Sequence, residues 1–231
     1  MFTVASKYLD RIFTLKFRAM VVFPNAKINL GLAVTQKRGD GFHNIETVFY
    51  PVPLRDALEM LPGDGACDAF KLTGMEVPGS LENNLVLQAW QMLKKDYDLP
   101  NANIHLHKAI PMGAGLGGGS SDAAFMLKLA RQVFDLDVSD EELTDYARRP
   151  GSDCAFFIRN KPVAAYGRGD EFEEIQLDLS AYHLVIVKPE IHIGTAEAYA
   201  WVKPSAPQHN IREIITHPVS EWKKHLTNDF E

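Results

Sequence analysis

Residues 111–121 read Pro111-Met112-Gly113-Ala114-Gly115-Leu116-Gly117-Gly118-Gly119-Ser120-Ser121. Glycine lets a backbone take positive φ and approach a ligand closely, which other residues resist. A strand-like segment, 103–110, precedes the cluster and a helix-forming apolar run, 122–133, follows it. Free amides feeding a helix N-terminus attract anions, because the unpaired N–H groups and the helix dipole both favour negative charge. Ser120, Ser121 and Asp122 are good N-cap types. A flexible glycine turn is the bland reading. The Ser-Ser ending and the direct opening into an apolar helix favour phosphate binding instead, and with it a nucleotide.

The stretch 113–118 satisfies the dinucleotide pattern G-x-G-x-x-G. That pattern needs a βαβ unit and an acid about 20 residues on. Asp135 and Asp137 fall at a loosely suitable distance, but Pro111 and Gly119 lengthen the turn and the next segments are helical. A dinucleotide-dependent oxidoreductase therefore stays open on this match alone. The Gly-Lys-Ser/Thr of a P-loop is absent, as are the Asp-Phe-Gly and His-Arg-Asp of protein kinases.

A chain of 231 residues can bury roughly 70% of its unfolded surface, enough for a core without staples. The net charge of −6 provides no basic field for nucleic acid. No apolar run approaches the roughly 20 residues a membrane span needs. Cys67 and Cys154 lack metal-type spacing and suit a reducing compartment. The expectation is a cytoplasmic protein with a small-molecule partner, no nucleic acid and no membrane; oligomeric state is not legible.

The element pattern predicts an α+β fold. Residues 21–34 and 43–51 read as a hairpin around the turn 35–41, with short strands near Leu58 and Phe70. Helical spacing runs over 84–97 with Asn83 as a cap, then near 121–134 and 139–149, the last opening on a Ser139/Glu142 capping box. Short strands are expected at 155–158, 163–166 and 184–188, with helical patches from Thr195 and Asn210.

Three positions draw attention on chemistry. Asp153 stands before the apolar run 155–158, where a carboxylate is expensive unless paired or functional; a cap or turn residue is the plain alternative. Lys27 lies between Ala26 and Ile28 in an apolar strand, where an edge or snorkelling lysine is the ordinary case. Asn29, two residues on, shares its face. His105 and His107 alternate on one strand face without companion ligands and read as surface histidines.

The glycine stretch resembles the phosphate loop of the GHMP kinases, the superfamily of galactokinase and of the homoserine, mevalonate and phosphomevalonate kinases. Three further segments carry the likeness: Pro24-Asn-Ala-Lys27-Ile-Asn29-Leu, Gly39-Asp-Gly-Phe42-His43, and Gly151-Ser-Asp153-Cys-Ala-Phe-Phe. The wording is most similar to the branch acting on a cytidine diphosphate-linked methylerythritol, and it runs from about residue 20 to the end. The resemblance implies two lobes, an ATP-binding lobe over 20–155 and a substrate lobe over 156–231, with the site between them. Residues 111–121 would bind ATP, and Mg2+ would enter as the nucleotide's counter-ion. Asp153 would be the base that deprotonates the substrate 2-hydroxyl, and Lys27 would stabilise negative charge beside it. Asn29, Phe42, His43 and Tyr199 would contact substrate, the rings reading its cytosine; Phe49 reads as core.

Two departures from the family follow. Arg148-Arg149-Pro150 stands where a helix carrying Leu or Ile is usual, and Pro150 ends that helix. The family also continues beyond Asn-Asp-Phe-Glu with a second glycine-rich segment that this sequence does not include. The expectation is therefore an incomplete second lobe, and a nonenzymatic nucleotide-binding fragment is the rival from a different class. Residues 1–19, with Lys7, Arg11, Lys16 and Arg18 against Asp10, form a basic arm outside the likeness. It reads as an upstream start assignment, with a targeting or surface-binding arm as the alternative.

Overall fold

The computed structural model describes residues 20–189, 191, 193–207 and 209–231, so the basic arm lies outside the described residues. Two four-stranded sheets and their helices make an α+β architecture. One sheet has the order β1 (Met20–Val22), β4 (Ala57–Pro62), β6 (Ala102–Lys108), β5 (Ala69–Gly74), with β5 and β6 parallel. The other has the order β2 (Asn25–Lys37), β3 (His43–Arg55), β7 (Val163–Tyr166), β8 (Glu171–Glu174), antiparallel throughout.

The first expected strand is two. Pro24 lacks an N–H and interrupts the run, so β1 pairs with β4 while β2 crosses into the other sheet. Three register shifts along β2–β3 bend the hairpin.

Helices α1 (Leu85–Asp96), α2 (Gly118–Val133) and α3 (Asp140–Ala147) form the helical layer. Asn84, one residue later than expected, caps α1 by accepting from the Val86 amide. The Ser139/Glu142 capping box opens α3 as its spacing predicts. Trp90 and Leu93 of α1 and Met126 and Leu127 of α2 share one core with Leu58, Met60, Ile104 and Leu106 of the first sheet. Each large apolar side chain buried this way stabilises the fold by about 1.5–3 kcal/mol. That core fixes the start of α2, and with it the glycine loop.

Residues 155–158 are not a strand. They continue a 3-10 turn (Ser152–Ala155) into the short helix α4 (Phe156–Arg159), with Phe156 and Phe157 in the main core. A run of four apolar residues does not distinguish a buried strand from a buried helical turn. Residues 184–188 also form no strand: among the described residues no strand pairs with them, and Val185 and Val187 are exposed. Farther on, α5 (Thr195–Trp201) leans on Leu32, Val34 and Ile45, while α6 (Ile211–Ile214) and α7 (Val219–Trp222) cover Val48 and Ala164.

Candidate active site

The glycine loop and β2 are bonded to each other. The Lys27 amide donates to the Leu116 carbonyl at 2.9 Å, which holds the strand against the loop. Gly117 is the residue before α2 and has φ +67, a left-handed conformation natural to glycine. The helix thus begins at Gly118, ahead of Ser120, Ser121 and Asp122, which lie in its first turn and are not its cap. A Cβ on Gly117 would stand 3.0 Å from the Phe157 ring and 3.1 Å from Lys27 Cγ. Gly117→Ala is therefore expected to cost about 1–3 kcal/mol in urea unfolding, and calorimetric titration should show weakened nucleotide binding.

Pro111 to Ser120 and Leu85 line an open hollow of about 180 Å³. Ser121 is turned inward, fully buried, with no partner for its hydroxyl. A second hollow of about 130 Å³ continues from the first, sharing Leu85, Met112 and Gly119 and lined further by Val77, Asn84 and Leu106.

At the far side of the loop, Lys27 is almost wholly buried. Its ammonium donates to Asn29 Oδ1 at 2.5 Å, lies 3.4 Å from Asp153 Oδ2 and sits 4.5 Å above the centre of the Phe49 ring. A buried cation needs such company; the snorkelling lysine of an apolar strand is not what is found. Phe49 is a core residue, as its sequence context suggests, and also the floor under Lys27. The Asp153 side chain is 33% exposed, so one carboxylate both pairs with Lys27 and meets solvent.

The aromatic residues gather at the hairpin. His43 and Tyr199 stack with ring centres 4.9 Å apart and planes at 17°. Burial, with the Asp153 charge second, raises the Tyr199 phenol above its ordinary value, so this ring and the aspartate share a neighbourhood. Phe42 is exposed and carries the Arg168 guanidinium 5.2 Å from its ring centre. His105 and His107 both reach the Thr73 hydroxyl on the outer face of β6, at 2.8 and 3.0 Å.

One cluster escaped the sequence reading. Lys108 is buried and donates to both Asp56 and Asp122, the latter at 2.7 Å. Asp56 also accepts from the Ala109 and Ile110 amides, at 2.6 and 2.8 Å, fixing the chain that enters the glycine loop. Burial pushes the Asp122 carboxyl up to about 7, with the Lys108 ammonium opposing and the Asp56 charge reinforcing the rise. A signal was present: Ala102, Ile104 and Leu106 alternate inward, and the same period places Lys108 inside. Cys154, behind the loop, is buried and its thiol is pushed up to about 11, chiefly by burial.

The family described as GHMP kinases N terminal domain matches residues 84–161. A 4-diphosphocytidyl-2-C-methyl-D-erythritol kinase from Parabacteroides distasonis is 55% identical over 212 residues, covering 92% of this chain and 78% of the relative. The chain belongs to the 4-diphosphocytidyl-2-C-methyl-D-erythritol kinase family. Its relative from Bacteroides fragilis is 52% identical over the same shares. A solved structure of 4-(cytidine 5'-diphospho)-2C-methyl-D-erythritol kinase superposes with a TM-score of 0.70 at 28% identity, over 92% of this chain and 76% of that one. The Methanococcus jannaschii mevalonate kinase shares the fold, with a TM-score of 0.52 at 12% identity over 69% of this chain and 56% of that one. The GHMP-kinase fold and membership of a small-molecule kinase family, both expected from the motifs, hold. Among the described residues, no helix is long and apolar enough to cross a membrane.

Proposed function

We propose that this chain transfers the γ-phosphoryl group of ATP to the 2-hydroxyl of 4-diphosphocytidyl-2-C-methyl-D-erythritol. The observation that carries this reading is the Lys27–Asp153 pair, bonded through the Lys27 backbone to the glycine loop and neighbouring the ring that stacks on His43. Phosphoryl transfer asks for positioning and charge neutralisation rather than covalent chemistry by the protein. Here the amides of 111–121 would hold the phosphates, and the adjoining hollow would take the adenosine.

Asp153 accepts the proton of the 2-hydroxyl as its oxygen forms the new bond to the γ-phosphorus. The bond from that phosphorus to the β–γ bridging oxygen breaks, ADP leaves, and Asp153 later gives the proton to water. Lys27 lies where its charge meets both the carboxylate and the developing negative charge. Asn29, through its bond to Lys27, holds that ammonium in place. His43, Tyr199 and Phe42 would read the cytosine, with stacking worth on the order of 1–3 kcal/mol per base.

Among the described residues no group of His, Cys, Asp or Glu is arranged to hold a metal ion. The residues present do not build a cage for magnesium; the ion would travel as the nucleotide's counter-ion, and no step is assigned to it.

The test is mass spectrometry of the substrate after incubation with ATP and magnesium, with mevalonate and galactose as rival acceptors. A singly phosphorylated product from the cytidine compound alone, assigned to the 2-position by phosphorus–proton coupling, supports the reading. Phosphorylation of a rival, or ATP binding without any product, overturns it.

A further inference from the structure

The stacked ring of Tyr199 has a second neighbour. The Phe230 ring stands at right angles to it, with centres 5.0 Å apart and planes at 85°. Phe230 stands at the end of a segment that is laid along β2. The Leu32 amide donates to the Thr227 carbonyl, the Asp229 amide donates to the Leu32 carbonyl, both at 2.9 Å, and the Val34 amide donates to Asp229 Oδ2 at 2.7 Å. Asn228 and Leu32 form a parallel bridge. These bonds use up donors and acceptors on the free edge of β2, at the point where its register against β3 shifts between Leu30 and Leu32.

The close approach depends on Gly31, whose φ is +66; a Cβ there would stand 2.8 Å from Leu226 Cδ1 and 3.2 Å from the Thr227 carbonyl oxygen. The segment is thus fixed to the strand carrying Lys27 and Asn29, while its ring fixes an aromatic on α5. Helix α5 is only seven residues long, and its N-cap makes no side-chain bond. A short helix of this kind owes little of its position to itself.

We propose that Phe230, seated by Asp229 on the β2 edge, is a positioning residue that holds the Tyr199 ring in the orientation from which it stacks on a pyrimidine base. The inference rests on the cytosine-reading role proposed above for His43 and Tyr199. Phe230 touches neither phosphate nor acceptor hydroxyl in this scheme; it acts through Tyr199. A perpendicular ring partner restricts tilt, so it selects among the orientations in which Tyr199 can stack.

The experiment measures calorimetric affinities of the full chain for cytidine 5'-diphosphate and for ATP. Phe230→Ala is expected to weaken cytidine diphosphate by about tenfold, the size a perpendicular ring contact supports, and to leave ATP affinity unchanged. Phe230→Tyr, which keeps the ring, is expected to restore the wild-type value. Tyr199→Ala should cost at least as much, and adding Phe230→Ala to it should cost nothing further, because the ring to be positioned is gone. A contact that merely stabilised the fold would weaken both ligands and add to Tyr199→Ala; that outcome overturns the proposal. If Tyr199→Ala loses cytidine diphosphate while Phe230→Ala keeps it, the positioning role falls and the cytosine site stands. If the wild-type chain binds ATP and no cytidine diphosphate, the cytosine site falls and the positioning role with it.

Discussion

Asp153→Asn is expected to lower kcat by about 10²–10⁴-fold, the range a positioned general base supplies, with KM for both substrates nearly unchanged. Asparagine keeps the size of the side chain and an oxygen that can accept from Lys27, 3.4 Å away in the native pair. What it lacks is a site for the substrate's proton. An effect confined to kcat marks an interaction made in the transition state rather than in the bound complex. Stability should change only modestly, because Asp153 is partly solvated and the asparagine oxygen still offers the buried Lys27 ammonium an acceptor. Asp153→Glu, which keeps the base and shifts it by one methylene, should fall between the two. Steady-state kinetics on purified variants decides the matter. A kcat for Asp153→Asn within about threefold of wild type would remove Asp153 from the role of base and leave it a partner for Lys27 only.

Where one residue's type and its neighbours dictated the outcome, the sequence was readable. The glycine loop, the Ser139/Glu142 capping box and the β2–β3 hairpin are local devices, and each was found where its pattern places it. Asp153 and Lys27 are 126 residues apart in sequence, as their numbers give, and nothing local to either implied the ion pair. Likeness to a family suggested it; periodicity did not. The four apolar residues 155–158 fit either a strand or a buried helical turn, and packing against α2 decides for the turn. Residues 184–188 have strand composition, but a strand exists only with a partner, and pairing is not a property of one segment. The Phe230–Tyr199 contact joins two such remote segments and was equally invisible.

Lys108→Met should unfold more readily by about 3–5 kcal/mol in urea at pH 8, the usual result of removing one member of a buried charge cluster. The ammonium is the one cation in contact with Asp56 and Asp122 in the cluster described, and both carboxylates are buried to within 1% of full exclusion from solvent. Without it, Asp56 and Asp122 share a dry site with no counter-charge, and the Asp122 carboxyl is driven to hold its proton to higher pH. Asp56 still has to hold the Ala109 and Ile110 amides at the mouth of the glycine loop. The cluster also predicts its own pH dependence. The folded Asp122 carboxyl titrates at about 7 against an ordinary 3.8. Between those values the folded chain keeps a proton that the unfolded chain has released, so stability falls as pH rises through that window and levels off above it. Asp122→Asn removes the titration and the second buried negative charge together. Its stability relative to wild type should therefore climb between pH 5 and pH 8, and it should rescue part of the loss in Lys108→Met. Unfolding curves for the four proteins at both pH values test this. A wild-type minus Asp122→Asn difference that does not change with pH would mean the carboxyl stays charged throughout, with Lys108 alone compensating both acids.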